Sequence, residues 1–365
     1  MFAQPYPQPI KSAQLKTVPS DFIVHENMHI TLDHTGEHLW LQIQKTNLNT
    51  QFVVRLLAQW ANIAPKDVGY SGLKDRHAQT CQWFSLRLPN KISPEMSFEQ
   101  FAQEKLNDDE QICVLQSVWH GRKLNRGTHK SNQFIITLRQ IDGDAGKIDD
   151  TLQQIKTNGV PNYFGEQRFG NDASNIAKTQ EFFAKICQKG RYFANKKFAE
   201  RDGLWISTAR SVLFNQMLSV RVSQENWQTA LSGDVFNLDG TGAIFIDDGD
   251  EQLAKRLQTG DIHPTAPLFG IGEPKTTSQA HQLYQAILEQ PDNAIFVAGL
   301  NLVKANLAYR PLRLMVRDLA WQFNNQTLTL SFSLPKGSFA TVVLSALVQD
   351  LQNQASLHTK TEQTE

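Results

Sequence analysis

Asp75 stands in Gly69-Tyr70-Ser71-Gly72-Leu73-Lys74-Asp75-Arg76, a glycine-led turn that sets one carboxylate between two cations. Fixed positive charge favours the anionic form of a nearby carboxylate and keeps it available as a nucleophile at neutral pH. Sequence neighbours need not face one another, so by itself the octapeptide also reads as a solvated loop of alternating charge. A second feature concerns phosphate. From Gln111 to Ile141 there is no Asp or Glu, while Arg122, Lys123, Arg126, Lys130 and Arg139 cluster with His120 and His129. In a chain with 36 Lys+Arg and 36 Asp+Glu, this is strong local segregation of charge. Such cations suit phosphate contact and counterion release, and Trp119 or Phe134 can stack on a base. Another acid-free stretch, from Phe182 to Ala199, carries Lys185, Lys189, Arg191, Lys196 and Lys197 among aromatic residues. Here the expected reading is an amphipathic helix over its own core.

Other literal motifs carry less. His25-Glu26-Asn27-Met28-His29 matches H-E-x-x-H, but its β-branched and aromatic flanks predict a strand. On a strand the two histidines lie roughly 13 Å apart and cannot share a metal. Gly69-Tyr70-Ser71-Gly72 lacks the last glycine of a nucleophile elbow, since Leu73 follows. Gly270-Ile271-Gly272 lacks the remainder of a dinucleotide fingerprint, and no P-loop string occurs.

The elements that must position Asp75 can be read from periodicity. The text from Asp21 to Gln44 alternates and breaks at His-Thr-Gly, as a hairpin of two strands would. Thr50 is placed to cap a helix through QFVVRLLAQW. Strands are expected at Trp83–Leu88, Ile112–Trp119 and Gln133–Arg139, giving a first half of α+β class with an antiparallel sheet. After about residue 158 the texture changes, with helices expected over Asn171–Lys197 and Thr208–Gln224. Strand text returns at LRLMVRDLAWQF and TLTLSFSLP, and Ser338 is placed to cap a last helix through Leu351 before a polar, frayed tail from Asn353 to Glu365. The simplest organisation is one domain interrupted by another.

Composition bounds the class. A chain of 365 residues, 40% hydrophobic and 20% charged, suits two globular domains. No apolar run approaches the roughly 20 residues of a spanning helix, so no membrane partner is expected. Cys81, Cys113 and Cys187 form no C-x-x-C pair and read as buried small residues in a reducing cytoplasm.

The string Gly69 to Leu86, GYSGLKDRHAQTCQWFSL, resembles the signature of the TruD family of tRNA pseudouridine synthases. The resemblance continues in Phe22-x-Val24-x-Glu26, in Gly36-Glu37-His38-Leu39 with Lys45 and Asn49-Thr50, and in Gly159 to Gly170. It extends through Ala209-Arg210-Ser211 with Leu213-Phe214-Asn215, Pro264 to Gly270, and Leu334-Pro335-x-Gly337-Ser338-Phe339-Ala340-Thr341. It implies a pseudouridine-synthase core, α+β with a central antiparallel sheet, interrupted by a family-specific α/β domain. The expected division is a catalytic domain of 1–158 and 308–365 around an inserted domain of 159–307. It implies isomerisation of uridine at position 13 of certain tRNAs, with no cofactor and no metal.

Residue by residue, Asp75 matches the essential aspartate and Lys16 the position of its basic partner. Phe22 matches the aromatic residue beside the target base, and Asn132, Phe134 and Phe339 match other active-site positions. Arg122, Lys123, Arg126 and Lys130 are the expected RNA contacts. One departure is Ser131, where the family has glycine before the asparagine. With one such constellation per chain, a monomer is expected. Two further classes fit parts of the pattern: an RNA-binding module without catalysis, and a hydrolase with paired carboxylates about 5–9.5 Å apart.

Overall fold

The computed structural model describes residues 2–28, 30–170, 173–247 and 249–355. His29 of the H-E-x-x-H string, Asn171 at the expected helix start, and the tail beyond 355 lie outside the described residues.

The chain opens with strands β1 (Ile10–Leu15), β2 (Phe22–Asn27) and β3 (His38–Thr46), then helix α1 (Thr50–Trp60) and the short β4 (Val68–Tyr70). Next come β5 (Gln79–Arg87), α2 (Phe98–Gln103), β6 (Gln111–His120), β7 (Ser131–Gly143) and α3 (Ala145–Asn158). The middle holds β8 (Val160–Pro161), α4 (Glu166–Phe169), α5 (Ser174–Lys189), the long α6 (Ala199–Ser223), β9 (Val235–Leu238) and β10 (Ile244–Ile246). It continues with α7 (Leu253–Thr259), β11 (Ile262–Leu268), α8 (Ser278–Leu288), α9 (Ala294–Leu302) and β12 (Ala308–Pro311). The chain closes with β13 (Arg313–Leu314), β14 (Arg317–Asn324), β15 (Thr327–Pro335), α10 (Ala340–Ser345) and β16 (Val348–Asn353).

Two compact units result. One contains residues up to Gln8, Asp150–Met315 and Thr341–Leu347; the other contains Pro9–Asp149, Val316–Ala340 and the chain from Val348 onward. The second unit is α+β and is built on a sheet whose main path runs β14-β15-β7-β2-β5-β3-β6, with β1 and β16 beyond β7 and β4 against β5. β5 is buried along nearly its whole length, as expected of a strand covered on both faces. β15 alternates buried and half-buried residues and presents one face to the core. Under the sheet, Leu39, Leu41 and Ile43 of β3 pack with Val53, Leu56 and Leu57 of α1 and with Phe84 and Leu86 of β5. The other unit carries the four-stranded antiparallel sheet β10-β9-β11-β12 with α5 to α9.

Four expectations need correction. β2 and β3 are not a hairpin, because β5 lies between them, parallel to β2 and antiparallel to β3. The sheet is therefore mixed rather than antiparallel throughout, and β1 and β16 add a second parallel pairing. The cap of α1 is Asn49, whose side chain accepts from Phe52 N at 2.8 Å; the Thr50 hydroxyl has other partners, described below. The expected last helix stops at Ser345, and its second half is β16, in which Val348 is buried, Leu351 half-buried and the polar residues exposed.

Candidate active site

The loop bearing Asp75 joins β4 to β5. Gly69, within β4, is glycine because the adjacent backbone passes very close: a Cβ there would lie 2.3 Å from the Leu124 carbonyl oxygen and 2.5 Å from Ser85 Oγ. The loop backbone is tied at several points. Ser71 O accepts from Gly127 N at 2.7 Å, and Gly72 O accepts from Gln82 Nε2 at 3.1 Å. Lys74 N donates to Thr50 Oγ1 at 2.9 Å, and that hydroxyl donates to Gln82 Oε1 at 3.0 Å. Thr50 at the N-terminus of α1 and Gln82 of β5 thus hold the loop at Lys74 and Gly72, the two neighbours of Leu73.

Both Asp75 carboxylate oxygens are engaged. Oδ1 accepts from His77 N at 3.0 Å, and Oδ2 accepts from Lys16 Nζ. The cation is buried while the anion keeps contact with solvent: the side chains are 7% and 26% exposed. Lys16 lies just past β1 with φ 58, a left-handed conformation that a residue other than glycine keeps only where its surroundings hold it. The backbone of Asp75 has its own clamp, since Lys45 Nζ donates to the Asp75 carbonyl at 2.9 Å and also to the Leu48 carbonyl. Burial pushes the Lys45 ammonium down to about 7; Asp75 opposes this shift and Lys74 adds to it.

An aromatic frame adjoins this pair. Lys16 Nζ lies 4.5 Å from the centroid of the Phe22 ring. Phe22 meets Phe134 edge-on at 6.2 Å, and Phe134 stacks with Phe332 at 5.5 Å. Register explains the grouping, because Val24 lies opposite Phe134 and Glu26 opposite Asn132 on β2 and β7. Residues two apart share a face, so Phe22, Val24, Glu26, Asn132 and Phe134 line one side of the sheet. The approach to Phe22 is fixed by Asp21, which accepts from Arg139 Nε and NH2 at 2.7 to 3.0 Å. Arg139 therefore leaves the expected basic cluster, because its guanidinium is bound to a buried carboxylate.

A second ion pair lies beneath the loop. Lys74 Nζ donates to Glu26 Oε1 at 2.9 Å, and Trp83 N donates to Glu26 Oε2 at 3.1 Å, with the Glu26 side chain fully buried. Ser71 Oγ lies 2.6 Å from His129 Nδ1 and accepts from His129 N at 2.8 Å. Burial first, then Lys74, hold the His129 imidazole below its ordinary range, so the ring is neutral at pH 7. Its Nε2 lies 3.4 Å from Asn132 Nδ2, and the buried Asn132 Oδ1 has no protein partner among the described residues.

The structure thus brings Lys16, Phe22, Asp75 and Phe134 together and links Asn132 to them through His129, Glu26 and Lys74. Phe339 is half-buried beyond the end of β15, whose Leu334 lies opposite Asn132. The cations at 122–130 form a separate surface. Arg122, Arg126 and Lys130 are exposed, Lys123 donates to the Lys66 carbonyl at 2.6 Å, and Arg126 donates to Tyr70 Oη at 2.7 Å. Trp119 is not an open stacking ring, since it packs against the core of β3, β5 and α1. Lys45, Glu26, Lys74 and His129 were not singled out as site residues from the sequence. Lys45, Glu26 and Lys74 did stand in the family-like strings.

Comparison with known proteins follows the same line. The family model described as tRNA pseudouridine synthase D (TruD) matches residues 8–179 and 200–347, leaving 180–199 between the two stretches. A tRNA pseudouridine synthase D of Psychrobacter arcticus is 42% identical over 95% of this chain and 93% of its own. One from Hydrogenovibrio crunogenus is 41% identical over 95% of this chain and 96% of its own. The crystal structure of a Methanosarcina mazei protein described as a tRNA pseudouridine synthase D superposes with a TM-score of 0.69 at 18% identity. That superposition covers 94% of this chain and 95% of the other and is a likeness of fold.

Proposed function

The chain belongs to the TruD family of tRNA pseudouridine synthases, which are isomerases, and from that premise we propose that Asp75 is its nucleophile and the uridine at position 13 of certain tRNAs its target. The observation that carries this reading is the unequal burial of the Lys16–Asp75 pair, which leaves a charge-paired carboxylate open to an incoming nucleoside.

Conversion of uridine to pseudouridine breaks N1–C1′ and makes C5–C1′. A proton leaves C5 and one is gained at N1, so the formula is unchanged and no oxidant or reductant enters. The difficulty is retention of the detached base. A carboxylate that bonds to C1′ of the ribose or to C6 of the ring leaves one partner tethered while the base turns over. Asp75 serves either attack. Its loop is fixed by Thr50, Gln82 and Lys45 before substrate arrives, so little reorganisation is needed at the moment of reaction.

A uridine must leave its stack to reach Asp75, which costs on the order of a few kcal/mol. Phe22, steadied by Phe134, offers a face to offset that cost. Asn132 stands on the same face of the sheet as Phe22 and Phe134, and its unspent side-chain carbonyl, closed to solvent in the free protein, becomes an acceptor for the imide N–H of uracil once the site opens. Arg122, Lys123, Arg126 and Lys130 contact phosphates through donors their present partners leave open, and Phe339 closes the site from the β15 side. We read 159–307 as the inserted domain of a catalytic domain made of 1–158 and 308–365. One site per chain makes a monomer sufficient, and a tRNA substrate places the enzyme in the cytoplasm.

The test compares purified wild-type and Asp75→Asn protein on tRNA. Loss of pseudouridine with tRNA affinity kept within about twofold supports the reading; wild-type turnover by the variant sinks it. Mapping pseudouridine in tRNA from cells lacking the protein checks position 13 separately.

A further inference from the structure

α5 does not continue through the acid-free stretch as the sequence pattern suggested. Its apolar side behaves as expected, with Phe183 and Ile186 buried against α6 and α9. The helix then stops at Gly190, whose φ of 65 is the left-handed cap glycine supplies at lowest cost. Residues 191–198 run outside a regular helix until a single 3-10 turn at Lys196–Phe198. Leaving the helix turns the aromatic residues outward: Phe193 is 74% exposed and Phe198 is 37% exposed.

These rings carry cations on them. Arg191 lies 5.2 Å from the Phe193 ring centroid, Lys197 5.7 Å from Phe198, and Arg201 4.2 Å from Phe198 and 4.7 Å from Trp205. Arg201 is bound to Asp202, so that pair is neutral overall, and Tyr192 also donates to Asp202. Lys185, Lys189, Arg191, Lys196 and Lys197 remain as excess positive charge, with no Asp or Glu between Glu181 and Glu200. The same stretch, 180–199, lies between the two regions matched by the family model.

We propose that the segment Lys189–Phe198 is an RNA-docking surface that this chain adds to the inserted region, stacking an unpaired base on Phe193 while Lys196 and Lys197 contact flanking phosphates. A polyanion is the partner that the charge selects, and exposed aromatic faces among cations are what single-stranded nucleotides stack on. A protein partner would meet four cations of this segment, Lys189, Arg191, Lys196 and Lys197, that only an acidic surface could neutralise. The inference rests on tRNA being the substrate but not on the role of Asp75.

The test uses full-length Phe193→Ala and Lys196→Ala/Lys197→Ala proteins, whose changes lie on exposed side chains, with unmodified tRNA. We expect the Phe193 variant to raise the Kd for tRNA about fivefold or more, from a stacking contribution of about 1 kcal/mol per base. We expect the double lysine variant to reduce the slope of log K against log salt by roughly 1.5, for two phosphate contacts. In both, kcat at saturating tRNA stays at the wild-type value. An unchanged Kd and salt slope in both variants overturns the proposal. So does self-association of wild-type protein that Phe193→Ala abolishes while tRNA affinity is kept, which would assign the surface to a protein contact. Absence of pseudouridine formation by wild-type protein would count against the reaction, while the Kd comparison would still decide the surface.

Discussion

Two ion pairs in this molecule treat burial in opposite ways. Arg221 and Asp234 have no exposed side-chain surface on either partner. Arg221 donates to both Asp234 oxygens at 2.8 and 3.0 Å, to the Asn226 and Thr229 carbonyls, and to Tyr284 Oη. The Tyr284 hydroxyl in turn donates to Thr265 O at 2.8 Å, and burial holds that phenol above its ordinary range. Such a network has its partners supplied from within and joins α6 to β11 and α8. Lys16 and Asp75 share charge in the same way, but one partner is left reachable. Desolvating a pair costs several kcal/mol per ion unless hydrogen bonds complete it, so a saturated pair serves structure, whereas one left open keeps an anion for a substrate.

The largest contrast comes from removing each carboxylate. Asp75→Asn keeps the shape and one acceptor, which Lys16 takes, but it sets an amide NH2 against the His77 N–H and removes the counter-charge of the buried Lys16, so stability falls by about 1–3 kcal/mol. Pseudouridine formation falls by at least about 10⁴-fold, as when other enzymes lose a nucleophile. Single-turnover assays and urea melts on the same preparation check both halves. A loss of stability large enough to explain the loss of activity would erase the distinction between the pairs. Asp234→Ala should do the reverse, stranding the Arg221 charge and costing about 3–5 kcal/mol in denaturant unfolding. Turnover per folded molecule should stay within about twofold of wild type.

Lys74–Glu26 lies between these extremes and sharpens the comparison. Both side chains are buried, yet Lys74 is next to Asp75 in the chain. Lys74→Met leaves Glu26 with only the Trp83 amide and the distant edge of His129, which lies 3.7 Å away. We expect a stability loss of about 1–3 kcal/mol. Because displacement by about 1 Å can cost 10²-fold, kcat should fall 10- to 100-fold with little change in KM. A variant that loses stability but keeps kcat would show that the loop is held without this pair.

What the sequence revealed of the site was its local part. The Asp75 loop could be read because glycines, acid and cations stand within eight residues. The pairing of Asp75 with Lys16 spans 59 positions and entered only through family resemblance, since alternation tells which face a side chain takes and not which strand lies next to it. The same gap explains why β2 and β3 read as a hairpin. Arg139 counted as a surface cation for a related reason, because its partner Asp21 is 118 residues away. At Phe193 the difficulty was different. The apolar spacing of α5 carries on past Gly190, and only the left-handed glycine ends the helix.

A prediction on stability alone, with no effect on turnover, concerns Lys45, a third buried lysine, which has carbonyl groups as partners instead of a carboxylate. Its pKa is about 7 in the folded protein and near 10.5 in the unfolded chain. Between those values the unfolded state binds more protons, so the free energy of unfolding rises with pH through this window. Below about 7 the full penalty of burying the charge applies, and above about 10.5 it is gone. The rise is at most about 1.4 kcal/mol per pH unit, the value for one proton. Lys45→Met should remove it, so the wild-type minus variant difference in unfolding free energy should increase from pH 7 to pH 9. Equal slopes in both proteins would mean that Lys45 does not titrate in this range. A neutral amine still has two hydrogens for the Leu48 and Asp75 carbonyls, so the clamp on the Asp75 backbone survives deprotonation. Turnover by wild-type protein should therefore show no loss attributable to Lys45 over the same interval, in contrast to the Lys16–Asp75 pair, where the proposed chemistry uses the charge itself.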